Sequence, residues 1–115
     1  MVMKLVTEHD PILKEKMVPY QFNGDSDAWV FAEELVKFMR DNGGIGLSAN
    51  QVGHRVRVFA MEGDPALVCF NPRIVDETSS NILLEEGCLS FPNLFIKIKR
   101  PRMIKVRFQD PNGDM

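Results

Sequence analysis

Between residues 28 and 39 the apolar side chains Ala28, Phe31, Ala32, Leu35 and Met39 recur at three- and four-residue intervals, while Glu33, Glu34, Lys37 and Arg40 fall largely off that stripe. The period is that of one helical face, so the pattern predicts an amphipathic helix whose apolar side meets a core. Asp25 or Ser26 is placed to cap its start. Asn42-Gly43-Gly44 is placed to stop it, because glycine enters the left-handed conformation that ends helices without a Cβ clash. The preceding chain, through about Gln21, mixes short apolar pairs with Asp10-Pro11 and Val18-Pro19, which predicts extended chain and turns with a short helical turn at Ile12-Leu13.

Downstream the period shortens. Residues 56–61 and 66–70 read as short strands around a Gly63-Asp64-Pro65 turn. Asn71-Pro72 interrupts, residues 73–76 read as extended again, and residues 77–81 as a polar loop. Residues 95–99 and 103–109 are strand-like on either side of Arg100-Pro101-Arg102. In the second of these, Ile104, Val106 and Phe108 alternate with Lys105 and Arg107, the two-residue period of a strand with one solvated face. Asp110-Pro111-Asn112-Gly113-Asp114 has the chemistry of a hairpin turn, Asn-Gly being suited to positive φ. A hairpin turn implies a returning strand, and none follows, so the chain reads as a fragment or a truncated variant. One helix with short antiparallel strands gives an α+β fold, without internal repeats or low-complexity tracts.

Length and charge narrow the classes. At 115 residues, 44% hydrophobic and 26% charged, the composition is that of one soluble domain, residues 1–115, expected to be incomplete. A domain of this size buries roughly two thirds of its unfolded surface, enough for a thin core. Fourteen Lys and Arg against sixteen Asp and Glu leave a formal charge of −2, which argues against a specific nucleic-acid site or an anionic membrane as partner. Lys97, Lys99, Arg100, Arg102, Lys105 and Arg107 do cluster. Their plain reading is the wet face of strands, and a ribosomal RNA contact is the alternative. No signal-peptide pattern opens the chain, and no run reaches the roughly 20 apolar residues that span a bilayer. With only Cys69 and Cys88 and no sign of a disulfide scaffold, a reduced, cytoplasmic setting is expected, in which a thiolate stays available to metal.

Few residues could carry chemistry. Cys88, alone, reads as a small buried hydrophobe, as does Cys69 within Leu67-Val68-Cys69-Phe70. Gly44-Ile45-Gly46, alone, reads as a helix terminator entering a strand. Gln51 carries an amide that can donate a hydrogen bond to an oxygen gaining charge without itself titrating; otherwise it is a surface glutamine. Ser48 is no nucleophile, because no histidine base accompanies it at a suitable spacing. His9 and His54 lie in no i, i+4 pair and read as surface or loop residues, with no spacing that would make His54 a metal ligand.

Taken in context, two segments are more specific. Gly44-Ile45-Gly46-Leu47-Ser48-Ala49-Asn50-Gln51, continuing to Val52-Gly53, resembles the first signature of peptide deformylases, G-x-G-L-A-A-x-Q, with Ser48 the sole departure at a fixed position. Glu86-Gly87-Cys88-Leu89-Ser90, followed by Phe91-Pro92, resembles the second. The third, H-E-x-x-H, is absent from these residues. The resemblance extends over essentially the whole chain, including Phe95-Ile96-Lys97-Ile98-Lys99-Arg100-Pro101.

The resemblance implies a metal hydrolase that removes the formyl group from N-formylmethionyl nascent peptides, with the ribosome as a further partner. It implies a peptide-deformylase-like α+β fold, short antiparallel strands around a central helix, with the family's C-terminal metal-binding helix unrepresented. Cys88 is then the thiolate ligand of a divalent metal, Fe2+ with Zn2+, Ni2+ or Co2+ as substitutes; two His ligands and the catalytic glutamate are not present in this chain. Gln51 and the Leu89 N–H would receive the oxyanion. Ile45 and Gly46 would line the substrate cleft opposite Gly87 and Leu89, with Glu86 as an orienting acid beside the cysteine. The 115 residues alone are then expected to be inactive. A non-catalytic module that binds peptide N-termini without metal is the rival reading. A purely structural α+β protein is a third, and it predicts that Gln51 and Cys88 lie apart.

Overall fold

A computed structural model describes residues 2–22, 27–77, 81–88, 91–101 and 104–115, with side chains described outside residues 76–104. The amphipathic stripe forms α1, Asp27–Asp41, and buries Ala28, Phe31, Ala32, Leu35 and Met39, the five positions its period selects. The cap candidates Asp25 and Ser26 lie outside the described residues. At the other end Gly43 sits at φ 69° and donates to the Arg40 carbonyl (3.2 Å), while the Gly44 N–H donates to that of Met39 (3.0 Å). Two such bonds satisfy carbonyls that the helix leaves open, and the left-handed glycine is what allows both.

The α1 stripe packs on strands that enter the sheet in sequence order: β1 (Gly46–Ser48), β2 (Val58–Met61) and β3 (Leu67–Glu77), joined at the far edge by β6 (Ile104–Gln109). All neighbours are antiparallel, and β4 (Asn81–Cys88) and β5 (Phe91–Pro101) form a separate antiparallel pair. Register places Leu47 opposite Ala60 and Ala60 opposite Val68, so three buried residues line up on the face that α1 covers. Phe70, Leu35 and Met39 reach 0% exposure at the centre. Each such side chain contributes about 1.5–3 kcal/mol by leaving water. Tyr20 closes one end, its ring edge-on to Phe70 at 4.9 Å.

The strand assignments differ from the sequence pattern in informative places. Expected as an interruption, Asn71-Pro72 instead lies inside β3, where the register slips between Phe70 and Arg73. Two residues face one across that slip, a bulge, so the missing N–H of Pro72 costs no ladder bond. Asn71 takes φ 53°, donates its N–H to the Arg57 carbonyl (2.8 Å), and grips Tyr20 through its side chain: Oδ1 accepts from the Tyr20 N–H (2.6 Å) and Nδ2 donates to its carbonyl (3.2 Å). Of the polar loop expected over 77–81, Glu77 ends β3 and Asn81 starts β4, and residues 78–80 lie outside the described residues. β4 had no alternating pattern to reveal it, and β5 runs wider than 95–99, ending at Pro101. The turn at 110–114 forms as expected: the Gly113 N–H donates to the Asp110 carbonyl (2.9 Å), the Asp110 N–H to that of Asp114 (2.8 Å), and Gly113 alone in the turn takes positive φ, 85°. This is the three-residue hairpin loop that ends in a left-handed glycine. No described helix is long and apolar enough to cross a membrane.

Candidate active site

The helix-stopping glycines lead directly into β1, and the order of the sheet leaves that strand at an edge, paired only with β2 among the described residues. Ile45, just before it, is 85% exposed, although its carbonyl is held by the Glu62 N–H at 2.9 Å. A Cβ added to Gly46 would meet nothing closer than the Ala60 carbonyl oxygen at 3.6 Å, an ordinary contact. Packing within the fold therefore does not require glycine at this position, and the missing side chain leaves β1 open to approach from outside. Across the sheet Gly46 stands opposite Met61 and Met61 opposite Leu67, both partly exposed, so the opening borders an apolar strip.

The apparatus behind that edge is a cross-link of charges. Arg40, near the end of α1, holds Glu62 in a two-point pair, Nη2 to Oε1 at 2.7 Å and Nε to Oε2 at 2.9 Å, and also donates to the Gly63 carbonyl at 3.1 Å. The guanidinium's hydrogen bonds, followed by one from the Gly63 N–H, hold the Glu62 carboxyl at about 2, well below the usual carboxylate range. No local pattern announces this pair, whose members are 22 residues apart.

From β1 the chain turns through one 3-10 turn, Ala49–Val52, anchored by the buried Ala49 and Val52. Gln51 Oε1 accepts from the Ser48 backbone N–H at 3.0 Å, the glutamine half of a capping box. With Oε1 accepting from Ser48, Nε2 is the donor end of the amide. Gly53, at φ 88°, ends the turn and sends the chain back toward α1. Ser48 contributes its backbone N–H to this box.

Gly46 and Gln51 are brought onto one continuous strand and turn, with Ile45 just before it. Glu86, Gly87 and Cys88 fall on β4, where Glu86 pairs with Ile96, Gly87 with Phe95 and, after a register shift, Cys88 with Phe91. Their side chains, and Leu89 entirely, lie outside what the structure describes, so the meeting of Cys88 with Gln51 stays a proposal.

Among the described residues no three of His, Cys, Asp and Glu come together as a metal-holding group. His9 is exposed beside Glu8 at 3.5 Å. His54, half-buried, sits with Nε2 on the Val2 carbonyl at 2.7 Å, and it belongs to no metal-holding group among the described residues. Cys69 is buried as expected, and burial pushes its thiol up to about 11, away from the thiolate a metal needs. The described side chains alone therefore hold no divalent metal, and the side chain of Cys88 lies outside them. The sequence reading missed how His54 is used; its position two residues after Val52, beyond a left-handed glycine, is a signal visible only once the turn is known.

The sequence model of the polypeptide deformylase family matches residues 2–115. A peptide deformylase of Thermotoga petrophila is 36% identical over 107 residues, covering 91% of this chain and 64% of that protein. One from Brucella suis biovar 1 is 35% identical over 118 residues, covering 97% and 67%. The crystal structure of peptide deformylase from Thermotoga maritima superposes with a TM-score of 0.93 at 32% identity, over 99% of this chain and 78% of that one. That of Synechococcus elongatus peptide deformylase in complex with actinonin gives 0.90 at 26% identity, over 96% and 63%. The chain spans about two thirds of the length of the curated relatives it matches.

Proposed function

The chain belongs to the polypeptide deformylase family, and we propose that it forms part of an enzyme that hydrolyses the formyl group from the N-formylmethionyl ends of nascent peptides, in the cytoplasm and near the ribosome. The observation that carries this reading is the fixed amide of Gln51, one turn beyond an open strand edge at Gly46. An extended peptide can add to such an edge through main-chain hydrogen bonds, with Ile45 offering apolar surface beside it. Gln51 Nε2 then donates to the formyl oxygen as it gains charge. Loss of one donor of this kind typically costs about 2.7–4 kcal/mol of transition-state stabilisation, or roughly a hundred- to a thousandfold in rate.

On the other wall the resemblance assigns the Leu89 N–H as second donor, Gly87 as close backbone approach, Glu86 as orienting acid and Cys88 as the thiolate of a divalent metal. Such a metal, Fe2+ first by resemblance, would when bound acidify the attacking water. The 115 residues alone are expected to bind an N-formylmethionyl peptide.

The test has two arms. Titrating the 15N-labelled chain with a short N-formylmethionyl peptide is expected to shift the backbone amides of Gly46 and Leu47 and the side-chain amide of Gln51. Shifts confined elsewhere would overturn the site. In a fusion that supplies the H-E-x-x-H segment implied by the family resemblance, formate release is expected, falling about a hundredfold or more in Gln51→Ala. Peptide binding without release by that fusion would favour the rival, a non-catalytic module.

A further inference from the structure

The turn that carries Gln51 is only four residues long, and its inner bonds bypass the Gln51 carbonyl: the Gly53 N–H donates to Asn50 (3.2 Å) and the His54 N–H to Ala49 (3.1 Å). The Gln51 carbonyl is taken instead by the Val6 N–H at 2.9 Å, and the next carbonyl, of Val52, by the Lys4 N–H at 3.4 Å. Residues 2–6 thus run as an extended strap along the outer side of the turn. Met3 is the strap's apolar anchor on the core, while Val2 at its beginning is 82% exposed. At that beginning the Val2 carbonyl meets His54 Nε2 at 2.7 Å. A carbonyl can only accept, so the imidazole donates from Nε2.

The imidazole is placed for this by two other contacts. Gly53, at φ 88°, swings the chain so that the His54 ring stands edge-on to Phe31 of α1, with centroids 5.4 Å apart and planes at 88°. The same residue's backbone N–H closes the turn on Ala49. His54 therefore joins helix, turn and strap at one point.

We propose that His54 is a positioning residue for the Gln51 amide: by clipping the strap at Val2 it keeps the Val6 and Lys4 N–H groups on the Gln51 and Val52 carbonyls, and so holds the donor of the turn in place. The catalytic consequence rests on the function proposed above; the structural linkage does not.

Hydrogen exchange on the labelled chain tests it. His54→Phe keeps an aromatic edge against Phe31 and removes the donor; His54→Gln restores a donor without the ring. In His54→Phe the Val6 amide is expected to exchange about two- to tenfold faster, the factor carried by one hydrogen bond, while the Leu35 amide in α1 keeps its protection. Protection at Val6 in His54→Gln is expected to lie nearer the wild type than in His54→Phe. The formyl-peptide shift at the Gln51 side chain is expected to shrink in His54→Phe and that at Gly46 to persist. Unchanged Val6 protection in His54→Phe, or a greater loss in His54→Gln than in His54→Phe, overturns the proposal. If the variants show this exchange pattern but the wild type shows no peptide shifts, the linkage stands and the deformylase site is what fails.

Discussion

Replacing Asn71 by glycine, alanine and aspartate separates two things that the residue does at once. Its side chain makes three bonds: Oδ1 accepts from the Tyr20 N–H at 2.6 Å, and Nδ2 donates to the Tyr20 carbonyl at 3.2 Å and to Gln109 Oε1 at 2.8 Å. Its backbone meanwhile occupies φ 53°, where few residues settle. At about 0.5–1.5 kcal/mol net for each bond, losing all three costs about 1.5–4.5 kcal/mol. Glycine accepts the left-handed backbone but loosens the unfolded chain, adding about 0.4–1 kcal/mol. Alanine avoids that term and incurs about 1–2 kcal/mol of left-handed strain. The two should therefore differ by about 0.8 kcal/mol, alanine being worse. Aspartate keeps the acceptor for Tyr20 and tolerates the backbone, but it loses two donors and faces two acceptor oxygens, so it loses at least about 1–3 kcal/mol. Urea denaturation followed by far-UV circular dichroism measures all three; with a slope of about 2 kcal/mol per M, the glycine variant's midpoint falls by about 1–3 M. Stability of the glycine variant within about 0.5 kcal/mol of wild type would mean the network bears little weight. Glycine being worse than alanine would refute the assigned backbone conformation.

Two further expectations follow from the core and the charge pair. Leu35→Ala, at a fully buried position in α1, is expected to lose about 2–5 kcal/mol in the same assay, a large share of the roughly 5–15 kcal/mol that holds a domain together; a loss below about 1 kcal/mol would mean that the site collapses freely. Glu62 is held at about 2 in the fold, against the usual 4.5. Because the folded value is the lower one, the pair's contribution is present above 4.5 and disappears as pH falls toward about 2. The urea midpoints of wild type and Glu62→Gln should therefore differ at neutral pH and converge through that window; a gap that persists at pH near 2 would contradict the pairing with Arg40.

The sequence by itself determined α1, because a 3.6-residue period is a local property: all five stripe residues are buried and Gly43 ends the helix in the conformation that glycine permits. It determined the 110–114 turn for the same reason, and it carried the family likeness in Gly44-Ile45-Gly46-Leu47 through Gln51. Long-range pairing was not local, so only the tertiary structure decided that Asn71-Pro72 is a bulge within β3, where Tyr20, 51 residues away, takes up its side chain. Register did the same for β1, whose three residues are too few to show alternation and become a strand by pairing with β2. The candidate site divides along this line. Residue identity marked Gln51 as a donor, but the direction of its amide came from the Ser48 N–H, and the hold on its carbonyl came from Val6, 45 positions earlier, a proximity that no spacing in the chain encodes.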